Sequence, residues 1–123
     1  MESGTKFSLM KDYSKQVKRQ IRELASLLYQ RELDAELAKL DAHFGQWRQG
    51  KLSPFDLAEH IHQFHQHPAR ELYNKFSYND ILPMLVAKAI VDGALAEEEV
   101  PEAVREALTD KIRFFENELS DGV

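Results

Sequence analysis

The sequence predicts an all-α protein, and two observations carry this prediction. Leu and Ala together supply 27 residues, whereas Val, Ile and Thr together supply 13, and the first pair favours helices while β-branched residues favour strands. No stretch alternates apolar and polar residues for long enough to indicate a strand. The chain has 123 residues, which fits one domain that can bury a core. We therefore expect a small helical bundle.

The chain's domain layout and location follow from composition. Residues 1–10 are polar and predict a flexible leader, and residues 11–123 predict a single helical domain. The start has no apolar signal region, and no apolar run approaches the ~18 residues of a membrane span. The cytoplasm is therefore the expected location. The chain has no cysteine, which excludes disulfides and thiolate metal sites.

A long first helix is predicted from about residue 13 to residue 44, because no Gly or Pro interrupts this segment. Its apolar stripe changes sides near residues 29–33. Either the helix breaks there, or it continues and buries one half in its own subunit and the other half against a second copy. The lack of a breaker favours continuity and hence a C2 homodimer. The first half would supply the dimer contact: Val17, Ile21, Leu24 and Leu28.

The later helices are marked by caps and prolines. Ser53 and Pro54 predict a helix start, and Pro68 predicts that this helix ends or kinks before a further helix begins at Pro68. The apolar run at 81–91 predicts a buried central helix that Gly93 ends, and Pro101 predicts the start of a last helix. Trp47 is predicted to pack the following loop onto the bundle, whereas an exposed indole at this position would indicate a partner site.

Four histidines lie within the stretch EHIHQFHQHP, residues 59–68. On a helical wheel they form two pairs on either side of a predicted buried stripe of Leu57, Ile61 and Phe64. His62 and His65 are three residues apart and, with Glu59, could share a divalent transition metal. Zinc sites need three or four protein ligands, so further ligands would have to come from elsewhere. No cofactor is the primary expectation, since a solvated histidine rim explains the same pattern.

Two further clusters could carry a function. His60, Arg70, Glu71 and Tyr73 could converge for acid–base chemistry if the chain folds back at Pro68. The basic residues of the first helix share one face and could bind anions, including nucleic acid: Lys11, Lys15, Lys18, Arg19 and Arg22. The net charge of −5 and the pI of 5.5 argue against nucleic acid.

The sequence contains no phosphate loop, nucleophile elbow or HExxH motif. We therefore expect a non-catalytic binding or structural module, most simply a homodimer, with another protein as a further candidate partner. A metal-binding protein or metal-dependent enzyme using the helix 54–67 is the first alternative. A nucleic-acid-associated regulator using the basic face of helix 11–28 is the second.

Overall fold

The computed structural model describes residues 9–121, and every regular element in that range is helical, which confirms the all-α prediction. The α-helices are α1 (Lys15–Arg48), α2 (Pro54–Phe64), α3 (Arg70–Ser77), α4 (Leu82–Asp92), α5 (Glu102–Ala107) and α6 (Thr109–Asp121). A π-helical segment, His65–Ala69, joins α2 to α3, and short 3-10 turns lie at Met10–Asp12, Asn79–Ile81 and Glu97–Glu99. Within the described range, every helix falls short of the length and apolar character needed to cross a membrane.

The chain divides into two compact units. Unit 1 takes the residues up to Leu28 and from Tyr78 onward, and unit 2 is Tyr29–Ser77. The single domain predicted for residues 11–123 therefore stays a prediction. Residues 1–8 of the predicted leader lie outside the described range, but Met10 is buried and its amide donates to Asp80 Oδ1 at 3.2 Å. Met10, the last residue of the predicted leader, is thus packed.

The core of unit 1 is built from apolar side chains of α1, α4 and α5. Helix α4 buries much of its surface, and its Lys88 reaches out to pair with Asp92 at 2.6 Å. Gly93 ends this helix in the left-handed conformation, φ +83°, which glycine adopts without steric penalty. The predicted last helix differs from the structure because Leu108 leaves helical geometry and divides it into α5 and α6.

The residues predicted to form a dimer contact lie instead in the core of unit 1. Val17, Ile21, Leu24 and Leu28 are between 0% and 8% exposed within one chain. Side chains already covered by their own subunit offer little further area to a second copy. The assignment of these four residues to a dimer contact is therefore corrected, because α1 uses this stripe for its own core. Dimerisation itself stays a prediction.

Lys111 is the one buried charged residue among those described, with 3% of its surface exposed. Its Nζ donates to the hydroxyl of Tyr13 at 2.9 Å and lies 5.5 Å from that ring's centroid. Burial lowers the pKa of Lys111, while the carboxylates of Asp110 and Asp12 act in the opposite direction. Burial also raises the pKa of Tyr13, and the same two carboxylates add to that rise. Deprotonation of Lys111 and deprotonation of Tyr13 therefore change the stability of the fold in opposite directions as the pH rises.

We expect Lys111→Met to remove an alkaline gain in stability. Because the pKa of Lys111 is lowered from 10.5 in the fold, its charged form disfavours folding below that lowered pKa, and the penalty is relieved as the pH rises toward 10.5. Tyr13 acts oppositely, since a pKa raised from 10.0 gives stability that is present below 10.0 and lost as the pH rises through the folded pKa. Urea unfolding from about pH 7 to about pH 11 measures both effects.

The matched control is Tyr13→Phe, which keeps the ring and removes only the hydroxyl. This variant should retain the lysine-dependent gain and lose the decline above about pH 10. Identical pH profiles for the wild-type protein and Lys111→Met would contradict the assignment.

Candidate functional site

Unit 2 is an antiparallel helical hairpin, called the hairpin below, formed by residues 29–48 of α1 and by the continuous helical segment 54–77. Three contacts fix its register. Tyr29 stacks on Phe76 with ring centroids 5.0 Å apart, and Glu32 pairs with Lys75 at 3.0 Å. Toward the turn, His43 stacks on His60.

The turn of the hairpin is set by local sequence. Gly50 takes a left-handed conformation, φ +74°, just after α1, and Pro54 occupies the first turn of α2. The Ser53 hydroxyl accepts a hydrogen bond from the Asp56 amide at 3.0 Å, so it caps an otherwise unpaired donor of the helix start. The helix start predicted at Ser53 and Pro54 is thus present.

Pro68 does not end the helix. It lies inside the π-helical segment His65–Ala69, which passes directly into α3. Proline lacks an amide hydrogen and its ring clashes with the carbonyl four residues earlier, so a regular α-helical turn is strained there. A wider π-helical turn accommodates the ring without breaking the helix. The prediction that a new helix begins at Pro68 is therefore wrong.

His60 on α2 stacks against His43, a histidine of α1. The rings of His43 and His60 lie 3.6 Å apart between centroids and are inclined by 10°. Both side chains are half-buried, and the Nδ1 atom of His43 is buried without a hydrogen-bond partner. They lie in a groove of about 310 Å³, called the histidine groove below, whose other lining residues are Glu36, Lys39, Leu40, Gln63, Phe64, His67 and Pro68.

This stack tolerates a single charge better than two. Two unit charges at the 3.6 Å centroid separation would repel by roughly 5 kcal/mol at an effective dielectric constant of about 20. Solvent reaches both half-buried rings, so screening reduces that figure. A neutral ring over a neutral ring, or a neutral ring over a charged one, has no such repulsion. The contact between α1 and α2 is therefore sensitive to the charge of its two imidazoles.

The sequence could not reveal this pair, because its two members are separated by 16 intervening residues. Only the antiparallel register, set by the length of the turn, brings them together. His67, predicted to lie on the same side as His60, does line the same groove.

The predicted metal ligands do not form a metal site in this structure. His62 and His65 are exposed, and Glu59 accepts a hydrogen bond from Gln63 Nε2. Across residues 9–121 no group of three or more histidine or carboxylate side chains is arranged to hold a metal ion. The additional ligand that this hypothesis needed from another element is therefore not supplied by the described residues as they are placed.

The residues predicted to share acid–base chemistry are separated. His60 lines the histidine groove, whereas Arg70 and Tyr73 line a second groove of about 440 Å³ with Tyr29, His65, Gln66 and Ala69. Glu71 is exposed and lines neither groove. The predicted convergence depended on the chain folding back at Pro68, and the continuous helix prevents it.

The basic face predicted on α1 belongs to unit 1. Lys11, Lys15, Arg19 and Arg22 are exposed, and Lys18 is half-buried. Arg19 approaches Glu23 at 3.9 Å, and Arg22 Nε donates to Asn79 at 3.3 Å. These side chains form an ordinary charged helix surface, on which Arg19 and Arg22 already interact with neighbouring side chains.

The apolar side chains of the hairpin are poorly covered. Of its described residues, only Leu57 is classed as buried, with 6% exposed. Ile61, predicted to be buried beside it, is 41% exposed, and Leu37 on α1 is 42% exposed. Trp47 is also 42% exposed and meets Phe44 edge-on at 6.5 Å. The following loop therefore leaves the Trp47 indole partly exposed and does not cover it.

Comparison with protein-family models, curated proteins and solved structures finds no match for this chain.

We expect Leu57→Ala to destabilise the hairpin by about 2 to 4 kcal/mol, because it removes the most deeply buried apolar side chain of that unit. Phe55→Ala is the matched control, and a residue 84% exposed should cost less than about 1 kcal/mol. Hydrogen exchange of the amides in 54–64 measures both changes. Equal losses for the two variants would show that Leu57 is not the anchor of this unit.

Proposed function

We propose that this chain is a helical binding module that pairs with a second copy of itself through one side of the hairpin. The observation that carries the proposal is the poor coverage of the hairpin's apolar residues, of which only Leu57 is classed as buried in unit 2. Two helices packed only on each other cannot cover a wide apolar stripe on either helix. A further layer would complete the core.

The unpaired side of the hairpin can be located from helical periodicity. On α1, Leu33, Leu37 and Phe44 centre about 100° away from Glu36, Lys39 and His43, which line the histidine groove. On α2, Ile61 lies about 105° from the mean direction of His60, Gln63 and Phe64, which line the same groove.

On each helix, the apolar residues are rotated away from the groove-lining residues. Because the two helices are antiparallel, the apolar residues of both helices lie on the same side of the hairpin. We call the resulting surface the docking face and define it as Leu33, Leu37, Phe44 and Ile61. It lies on the side of the hairpin opposite the histidine groove.

The side of the hairpin that carries the docking face is large enough for a stable interface. A segment of about 20 residues is about 30 Å long, and two adjacent helices are about 20 Å wide. The projected area is therefore about 600 Å², and accessible area exceeds projected area. Stable interfaces bury about 800 Å² on each partner.

The charge of the hairpin favours a second copy as the occupant. Residues 29–77 contain seven acidic and six basic side chains, a net charge of −1 out of the chain's −5. The acids are Glu32, Asp34, Glu36, Asp41, Asp56, Glu59 and Glu71, and the bases are Arg31, Lys39, Arg48, Lys51, Arg70 and Lys75. Two such units repel each other weakly, because most of the net charge lies elsewhere in the chain. Joining two hairpins about a twofold axis would give four helices around one core.

Light scattering after size exclusion tests this proposal. At micromolar concentration the wild-type protein should have twice the chain mass of 14.2 kDa. Leu37→Lys and Ile61→Lys should each raise the dissociation constant at least about tenfold, because each places a charge in the buried interface.

Phe55→Lys is the matched control. Phe55 is 84% exposed but lies on the side of α2 that points away from α1 and outside the docking face. This variant should remain dimeric. A monomeric wild-type protein would refute self-association, and a dimer that Phe55→Lys disrupts while Leu37→Lys leaves intact would refute the choice of face.

A further inference from the structure

The stacked pair of His43 and His60 holds together two helices that have few other contacts. Its rings meet at 3.6 Å near the turn, while the Tyr29–Phe76 stack and the Glu32–Lys75 pair lie at the opposite end of the hairpin. Both members of that ion pair are more than 40% exposed, and exposed pairs contribute little to stability. Near the turn, the histidine stack and the buried side chain of Leu57 join the two helices.

The charged groups that face the stack do not compensate two added protons. From α1, Glu36 and Lys39 line the histidine groove, and they are already paired with each other at 3.1 Å. From the π-helical segment, His67 lines it and supplies no negative charge. The nearby α2 carboxylates are Asp56, outside the groove lining, and Glu59, which accepts from Gln63. Among the residues that line the groove, Glu36 is the one carboxylate.

We propose that the His43–His60 stack is a proton-operated latch, closed while at most one ring is charged and opened when both rings are protonated. Imidazoles in general titrate near pH ~6.5, and glutamates near pH ~4.3. Acidification from neutrality to about pH 5.5 therefore charges imidazoles while carboxylates stay ionised. The protons come from solvent, which reaches the half-buried rings. Opening separates 54–64 from the facing part of α1 and exposes Leu57.

The latch is a property of one chain and goes beyond the proposed self-association. It lies on the side of the hairpin opposite the docking face. Its consequence for pairing, that an opened hairpin no longer presents the docking face, rests on the proposed function, whereas the opening itself does not.

Hydrogen exchange at about pH 7.5 and pH 5.5, corrected for the intrinsic pH dependence of amide exchange, tests the latch. In the wild-type protein, the amides in 54–64 should lose at least about tenfold in protection at the lower pH. The amides of α4 in unit 1 provide the internal reference and should change less than about twofold. Unchanged protection in 54–64, or an equal loss in α4, would overturn the proposal.

Variants identify the groups responsible. His60→Phe keeps a flat ring against His43 and cannot be protonated, so it should hold its protection at both pH values. His62→Gln is the matched control, because His62 is exposed on the same helix, and it should respond as the wild-type protein does. His43→Phe tests the same contact from α1 if His60→Phe fails to fold. A wild-type response in a folded stack variant, or a lost response in His62→Gln, would overturn the latch.

Leu37→Lys separates the latch from self-association. If the proposed dimer forms, this variant should be monomeric by light scattering at a concentration below its raised dissociation constant, and it should keep the full pH response there. A monomeric Leu37→Lys protein without that response would assign the effect to the dimer and overturn the latch. A wild-type monomer that does respond would support the latch and refute only self-association.

Discussion

The two helices of the hairpin leave part of their apolar surface in water, and this constraint governs the unit. Leu57 reaches the contact between the helices and is buried, whereas Ile61, one turn later, is 41% exposed. A hairpin in this condition gains stability from any layer that covers its open side. Unit 1 differs, because α1, α4 and α5 all contribute buried side chains to its core.

The second helix of the hairpin is continuous over residues 54–77, and this continuity lengthens the open side of the hairpin. Pro68 would be expected to divide α2 from α3, yet the π-helical turn at His65–Ala69 carries the helix through. The same turn places His67 in the histidine groove and His65 in the second groove, with Arg70. Continuity therefore lengthens the hairpin and also separates residues that a fold-back would have brought together.

Local signals in the sequence predicted the helical class and several helix boundaries. Ser53, Pro54 and Gly93 act within one turn of their own position, so their roles can be derived from neighbouring residues alone. The partners of His60 and Lys111 could not be derived in this way. His43 contacts His60, and Tyr13 contacts Lys111, through tertiary packing. The periodicity of a sequence does not indicate which turns of two helices will be in contact. The stripe of Val17 and Ile21 was correctly identified as apolar, but its covering partner was misassigned for the same reason.

Oxidative footprinting of side chains tests the central claim most directly, because it reports which apolar residues a second copy covers. Leu37 and Ile61 are 42% and 41% exposed in one chain, and Phe55 is 84% exposed. The account predicts that Leu37 and Ile61 become protected as concentration rises through the dimerisation range, while Phe55 remains reactive throughout. Constant reactivity of Leu37 and Ile61 at every concentration would contradict it.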